Sequence, residues 1–187
     1  MKKFALVGLA LVIALGLAGC APAAEAGPTP SPTESGNGID PSLIPAQATT
    51  DLPMVDAAQY LTNENDFVFK IGDGPTWCSI NDESKFVICE QDEAATLYDP
   101  VEMPETCTYS YGFQMRLSAS KPAKSDTAEF TCAGGYYTDP TKAKPLDDGY
   151  VIRVGDFTCY TAGQTARCDN AIGNYIVLGA NVWALGN

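Results

Sequence analysis

The chain has 187 residues, 11 Lys+Arg against 23 Asp+Glu, a net charge of −12 and no histidine. The missing imidazole excludes Ser-His-Asp and Cys-His nucleophilic centres and His-containing zinc sites. The acidic balance argues against nucleic acid as a partner, and against direct adhesion to anionic lipid or phosphate-rich polymers. Nor is there a Cys-x-x-Cys for thioredoxin-type redox work, or a glycine-rich phosphate loop of either common form.

The chain opens on Met1-Lys2-Lys3, an apolar run of 14 residues from Phe4 to Leu17, and Leu17-Ala18-Gly19-Cys20. A bilayer span needs about 20 apolar residues, so the run reads as the core of an export signal. The Leu-Ala-Gly-Cys order resembles the lipobox of bacterial lipoproteins, in which the cysteine is lipidated and becomes the mature N-terminus. The resemblance implies a signal peptide over 1–19, acyl chains such as palmitate on Cys20, and a protein held on the outer face of the cell membrane. An ordinary secretory signal cut nearby, or an uncleaved anchor, is the alternative. Each buried CH₂ contributes about 0.8 kcal/mol, and two chains make a stable anchor. Cleavage removes Lys2 and Lys3, leaving 9 basic against 23 acidic residues and a charge of −14.

Residues 20–53 contain seven of the 13 prolines among Ala, Ser, Thr and Gly, as in Gly27-Pro28-Thr29-Pro30-Ser31-Pro32. Such composition has no apolar period with which to build a core, so 20–53 is expected to be a disordered tether stiffened toward polyproline II. The remaining residues, 54–187, fit one domain with one core.

Within that domain Val55–Leu61 suggests about two turns of helix. Phe67, Phe69 and Ile71 alternate with Asp66, Val68 and Lys70 and stop at Gly72-Asp73-Gly74-Pro75. Trp77–Ile80 and Phe86–Cys89 follow, separated by the Asn81–Ser84 turn. From Cys107 to Ser118 the apolar residues Cys107, Tyr109, Tyr111, Phe113, Met115 and Leu117 hold one parity, which reads as a long half-buried strand. Ala128, Phe130 and Cys132 return from it as a hairpin. Tyr109, Tyr111 and Trp77 are expected in the core or packed on the disulfides. Tyr150–Asp156, Phe157–Cys159 and a return to Cys168 repeat the earlier pattern, aligning Phe69-Lys70-Ile71-Gly72-Asp73 with Ile152-Arg153-Val154-Gly155-Asp156. Two apolar runs, Asn174–Leu178 and Val182–Leu185, close the chain. Many short strands with Gly/Pro/Asn/Asp turns indicate an all-β sandwich or small barrel.

Six cysteines follow Cys20: Cys78, Cys89, Cys107, Cys132, Cys159 and Cys168. An even number in an exported domain reads as a disulfide framework. Six cysteines allow 15 connectivities, and the simplest is sequential: Cys78–Cys89, Cys107–Cys132, Cys159–Cys168. Each bridge contributes about 3 kcal/mol in the chain-entropy model, the middle one most because its loop is longest.

Three stretches carry a further likeness: Gly74-Pro75-Thr76-Trp77-Cys78 with Cys89, Leu146-Asp147-Asp148-Gly149, and Val154-Gly155-Asp156-Phe157-Thr158-Cys159 with Cys168-Asp169-Asn170. On these motifs the chain resembles a family of secreted and lipid-anchored actinobacterial proteins that share a domain of unknown function. The resemblance implies a disulfide-rich β fold in the cell envelope and no particular activity. The family's Gly-His-Gly-Phe is Gly173-Asn174-Tyr175-Ile176 here, so no role of that histidine carries over.

The ligand candidate is aromatic. Tyr136 and Tyr137 follow Gly134-Gly135, and in an extended chain they point to opposite faces, so one of them is expected to meet solvent. Exposed tyrosine suits interfaces and sugar faces. The carboxylate pairs Asp82/Glu83, Asp92/Glu93 and Asp147/Asp148 sit in turn-like contexts that favour a solvated surface over glycoside hydrolysis. Asn63–Asp66 offers oxygens without an EF-hand spacing. No metal, cofactor or catalytic residue is expected. The reading is a lipid-anchored envelope interaction module with an envelope or protein partner; a spacer domain without a ligand, or a carboxylate-dependent glycan hydrolase, is the alternative.

Overall fold

Period-two alternation over segments of three to six residues, cut by tight turns, folds here into two antiparallel meanders laid face to face. The computed structural model describes residues 34–35, 39–123 and 125–187; the signal segment 1–19, Cys20 and half of the tether lie outside the described residues. Strands β1 (Glu34–Ser35), β2 (Phe67–Ile71), β3 (Thr76–Asn81), β4 (Phe86–Gln91), β5 (Gln114–Ser118) and β6 (Ala128–Phe130) come first. Strands β7 (Lys144–Leu146), β8 (Val151–Val154), β9 (Phe157–Ala162), β10 (Thr165–Asn170), β11 (Tyr175–Gly179) and β12 (Val182–Gly186) follow. The N-terminal sheet has the order β6-β5-β4-β3-β2-β7, and the C-terminal sheet β1-β12-β11-β10-β9-β8. The protein is therefore all-β, a two-sheet sandwich. The aligned segments are matching parts of the meanders β2–β6 and β8–β12.

Both inner faces are apolar. Phe69, Ile80, Val87, Met115 and Leu117 from one sheet meet Ile152, Phe157, Ala166, Ile176 and Leu178 from the other. The sequential disulfides Cys78–Cys89 and Cys159–Cys168 each join directly opposed residues of a hairpin, with Cα atoms 4.0 Å apart. Each lies on its sheet's inner face. The Cys89 and Cys168 sulfurs stand 3.9 Å apart, a van der Waals contact because neither carries hydrogen. Cys107–Cys132 ties the chain before β5 to the chain after β6.

Three expectations are corrected. The strand anticipated from Cys107 is regular only from Gln114. Gly112, at φ +93 with its Cα hydrogen toward Val101, breaks the alternation; Tyr109 is turned out to 64% exposure instead of entering the core. Tyr111 keeps a place against the core, and Trp77 is buried on the outer face of its sheet rather than between the sheets. The helix at Val55–Leu61 is a single 3-10 turn, Ala57–Tyr60, capped by the Asp56 carboxylate accepting from the Ala58 N–H. Finally, the packed chain reaches further toward the N-terminus than residue 54. Ile39 and Ile44 cover Tyr175, Val177, Val182 and Ala184 on the outer face of the C-terminal sheet, and Val151 N–H donates to the Pro53 carbonyl.

Candidate ligand-binding site

The outer face of the N-terminal sheet carries a buried carboxylate. Strand parity that points Cys89 inward points Glu90 outward, opposite Trp77 on β3. Glu90 is 1% exposed, and four donors reach it. Trp77 Nε1 (2.9 Å) and Thr138 N (3.1 Å) donate to Oε2; Gln114 Nε2 (2.8 Å) and Tyr137 N (2.5 Å) donate to Oε1. A carboxylate can be buried when charge-assisted bonds replace its water, and here two of the donors belong to the loop above. Glu90 thus fastens residues 132–143 across the sheet. Thr138 Oγ1 and Ser79 Oγ share a further bond at 2.5 Å.

On that fastened loop both tyrosines reach solvent, Tyr136 at 56% and Tyr137 at 40% exposure. The expected split between faces fails because each ring lies edge-on over an outer-face aromatic. Tyr136 meets Trp77 at 4.8 Å and 85°, and Tyr137 meets Phe86 at 5.6 Å and 74°. The Tyr137 hydroxyl lies 3.4 Å from Asp66 Oδ1 and accepts from Asn81 Nδ2 at 3.5 Å. Tyr109 stands beside Gly134, whose Cβ position would be 3.8 Å from its ring. The three tyrosines form a ledge. Hollows of about 230 and 190 Å³ flank Tyr136, one edged by Gln91, Ser110 and Gln114, the other by Lys70, Asp92 and Pro140.

Partial burial, then the nearby Asp92, Glu90 and Glu93, raises the Tyr136 phenol above its ordinary pKa; burial and Asp66 do the same for Tyr137. Both remain O–H donors at neutral pH. The ledge offers apolar ring faces, phenol donors and amide groups. Glu90 itself, with four donors engaged, is an anchor rather than an acid or base.

The other sequence candidates are occupied locally. Asp82 pairs with Lys85, Asp92 caps a 3-10 turn through the Ala94 N–H, and Asp148 accepts from the Gly163 N–H. Glu64 pairs with Lys142, and Asp66 accepts from Asn81. Among the described residues the only close group of potential metal ligands is Cys78, Cys89 and Cys168, whose sulfurs are spent in disulfides. Cys20 lies outside the described residues. Sequence reasoning missed Glu90 and Tyr109. The signal for Glu90 was present: a carboxylate directly after the inward cysteine in both aligned segments, Cys89-Glu90 and Cys168-Asp169.

Compared with protein-family models, curated proteins and solved structures, the chain matches none. The family likeness therefore rests on the cysteine and glycine motifs alone.

Proposed function

We propose that this chain is a lipid-anchored module on the outer face of the cell membrane that binds a saccharide-bearing component of the envelope across the tyrosine ledge. The observation that carries the reading is the pair of exposed phenols, Tyr136 and Tyr137, on a loop fastened by a buried carboxylate. Holding a loop ready before binding reduces the entropy lost on association. An aromatic ring edged by amide and carboxylate groups matches a sugar, apolar on its ring face and polar at its hydroxyl rim. Three buried or half-buried disulfides suit an oxidising compartment outside the cytoplasm, and the Leu17-Ala18-Gly19-Cys20 ending supplies the anchor.

The test is co-sedimentation of the purified folded chain with insoluble envelope glycan. Tyr136→Ala is expected to weaken capture roughly tenfold or more, with a thermal midpoint within about 3 °C of wild type, since half-exposed side chains contribute little packing. Retained capture in both Tyr136→Ala and Tyr137→Ala returns the domain to a spacer role. Turnover of the glycan, abolished by one Asp→Asn or Glu→Gln change, would make it a hydrolase.

A further inference from the structure

A larger concavity lies elsewhere, at the open edge of the sandwich where β6 faces β12, and it shares no residue with the hollows at the ledge. Its volume is about 960 Å³. The floor is aromatic and apolar: Tyr111, Phe130, Trp183 and Leu185, with the Phe130 and Trp183 rings edge-to-face at 4.9 Å. At one end Asn187 clasps the two sheets. Its Oδ1 accepts from Ala128 N at 2.8 Å, and its Nδ2 donates to Ala128 O at 2.9 Å.

Five carboxylates line the cleft, Asp99, Glu102, Glu105, Asp126 and Glu129, and among the described residues no lining side chain is basic. Three of them repeat every third residue in Asp99-Pro100-Val101-Glu102-Met103-Pro104-Glu105. Asp99 and Glu102 stand three apart in an irregular proline-rich stretch, and Glu105 follows in the turn that the Cys107 N–H closes on the Pro104 carbonyl. Their spread matters as much as their number. Among the described residues no three carboxylates bring oxygens within 4.8 Å of one another, so a bare divalent ion finds no ready cage. A ligand with several spaced positive charges fits where one compact cation does not.

Trp183, which lines the cleft, supplies a second observation. Trp183 is 4% exposed, and its indole Nε1 is buried with no hydrogen-bond partner. A buried N–H without an acceptor costs about 1–3 kcal/mol, and a ligand carbonyl that displaces the side chains covering this nitrogen recovers that loss.

We propose that this cleft binds an extended basic peptide segment of another protein. Lysine or arginine side chains meet the five carboxylates, intervening apolar side chains lie on the Phe130–Trp183 floor, and a backbone carbonyl accepts from Trp183 Nε1. Charge complementarity steers such a partner and fixes its register; a tryptophan at the centre of the contact, ringed by polar groups, is the usual place for the largest contribution.

The probe is an octapeptide of alternating lysine and valine, titrated into the folded chain at low ionic strength, where surface electrostatics are least screened. Substituting Asp99→Asn, Glu102→Gln and Glu105→Gln together is expected to weaken binding about tenfold, equivalent to about 1.4 kcal/mol. The charge-matched triple Asp73→Asn, Glu83→Gln and Asp156→Asn, on exposed turns outside the cleft, is expected to change it less than about twofold. In ¹⁵N-labelled wild-type protein the Trp183 indole resonance is expected to move downfield at saturation while that of Trp77, already bonded to Glu90, stays. Equal weakening by the two triples would reduce the effect to net charge and overturn the proposal. So would an unmoved Trp183 resonance with the peptide bound, or the same shift produced by calcium alone.

Discussion

The two meanders are built alike and finished differently. Each has a bridged central hairpin with its cysteines turned inward, and each places a carboxylate directly after the second cysteine on the outer face. Glu90 in the first collects four neutral donors and holds the tyrosine loop. Asp169 in the second collects Arg167, whose Nε lies 3.1 and 3.0 Å from its two oxygens and whose Nη2 lies 2.6 Å from one. The guanidinium stacks on Tyr175 at 3.9 Å and its Nη1 donates to the Pro45 carbonyl at 2.7 Å, pinning the segment that precedes the domain. One scaffold position thus fastens two unrelated covers. The cover over Glu90 exposes aromatic rings; the cover over Asp169 seats Ile39 and Ile44 on its face. Beside the second cover lies a hollow of about 320 Å³ edged by Gln47, Arg153, Asp156 and Asp169, with no aromatic ring in its lining.

Several experiments break or sharpen that comparison. The largest effect is expected from the paired bridges. Loops of 9, 11 and 25 residues differ by less than about 1 kcal/mol in the chain-entropy model, which favours Cys107–Cys132. Burial outweighs that difference. Cys78–Cys89 and Cys159–Cys168 fill the centre of the core at 0% exposure, so replacing either pair by alanine also leaves a cavity. Either inner pair should cost more than the outer pair, about 4–6 kcal/mol against about 3, by chemical denaturation. A costlier Cys107–Cys132 would return the advantage to loop length.

Next come the two anchors. Asp169→Ala leaves Arg167 buried and unpartnered by a carboxylate, a loss of about 3–5 kcal/mol. Glu90→Gln keeps the shape but turns donor against donor, costing about 2–3 kcal/mol. Hydrogen exchange separates them. The first variant should expose the backbone around residues 39–48, the second the Tyr137 and Thr138 amides. Loosening of the same segment in both would show that the anchors are not independent.

A smaller effect belongs to the C-terminal sheet alone. A Cβ on Gly186 would lie 2.2 Å from the Tyr175 ring, so Gly186→Ala forces off the ring that carries Arg167. Overpacking of this kind costs about 1–3 kcal/mol, read as a lower denaturation midpoint with ligand capture at the ledge intact.

The least effect near neutrality comes from pH. Burial, offset by Arg167 and reinforced by Asp169, lifts the Tyr160 phenol to about 12; burial also raises Tyr98, whose hydroxyl donates to the Gly112 carbonyl. The folded values exceed the unfolded value near 10, so the folded state holds these protons longer. Their stabilisation is complete below about pH 10 and is lost as pH climbs through the folded values. Denaturation midpoints should be flat to about pH 10 and fall beyond it; a fall beginning near pH 8 would contradict the assignment.

The strands, their turns and the inward parity of Cys78, Cys89, Cys159 and Cys168 were legible because alternation and turn residues act locally. Tyr109 was not, because a single glycine conformation at Gly112 overrode the alternation that placed it in the core. The outer faces were legible only in part. A carboxylate after each inward cysteine marks an outward anchor, but no local pattern says which distant segment will cover it. Val177, Val182 and Ala184 read as ordinary strand residues, and their partners Ile39 and Ile44 stand in proline-rich sequence that looked unable to pack. The ledge was legible as two tyrosines and illegible as a site, since Glu90 joins it through backbone N–H groups that every residue except proline possesses.

The pinned segment has a mechanical consequence. Residues 39–53 lie along the outer face of the C-terminal sheet, held by Ile39, Ile44 and the Arg167–Pro45 bond before the chain reaches the Val151–Pro53 backbone bond. Tension applied from the N-terminal side loads the two-residue β1–β12 pairing and then those few contacts, and it can peel them away without opening either disulfide-bridged hairpin. The 15 residues so released, at about 3.3 Å each, pay out on the order of 50 Å of slack. Until that length was spent, a partner gripping the tyrosine ledge on the opposite sheet would feel no more than the force that peels those contacts.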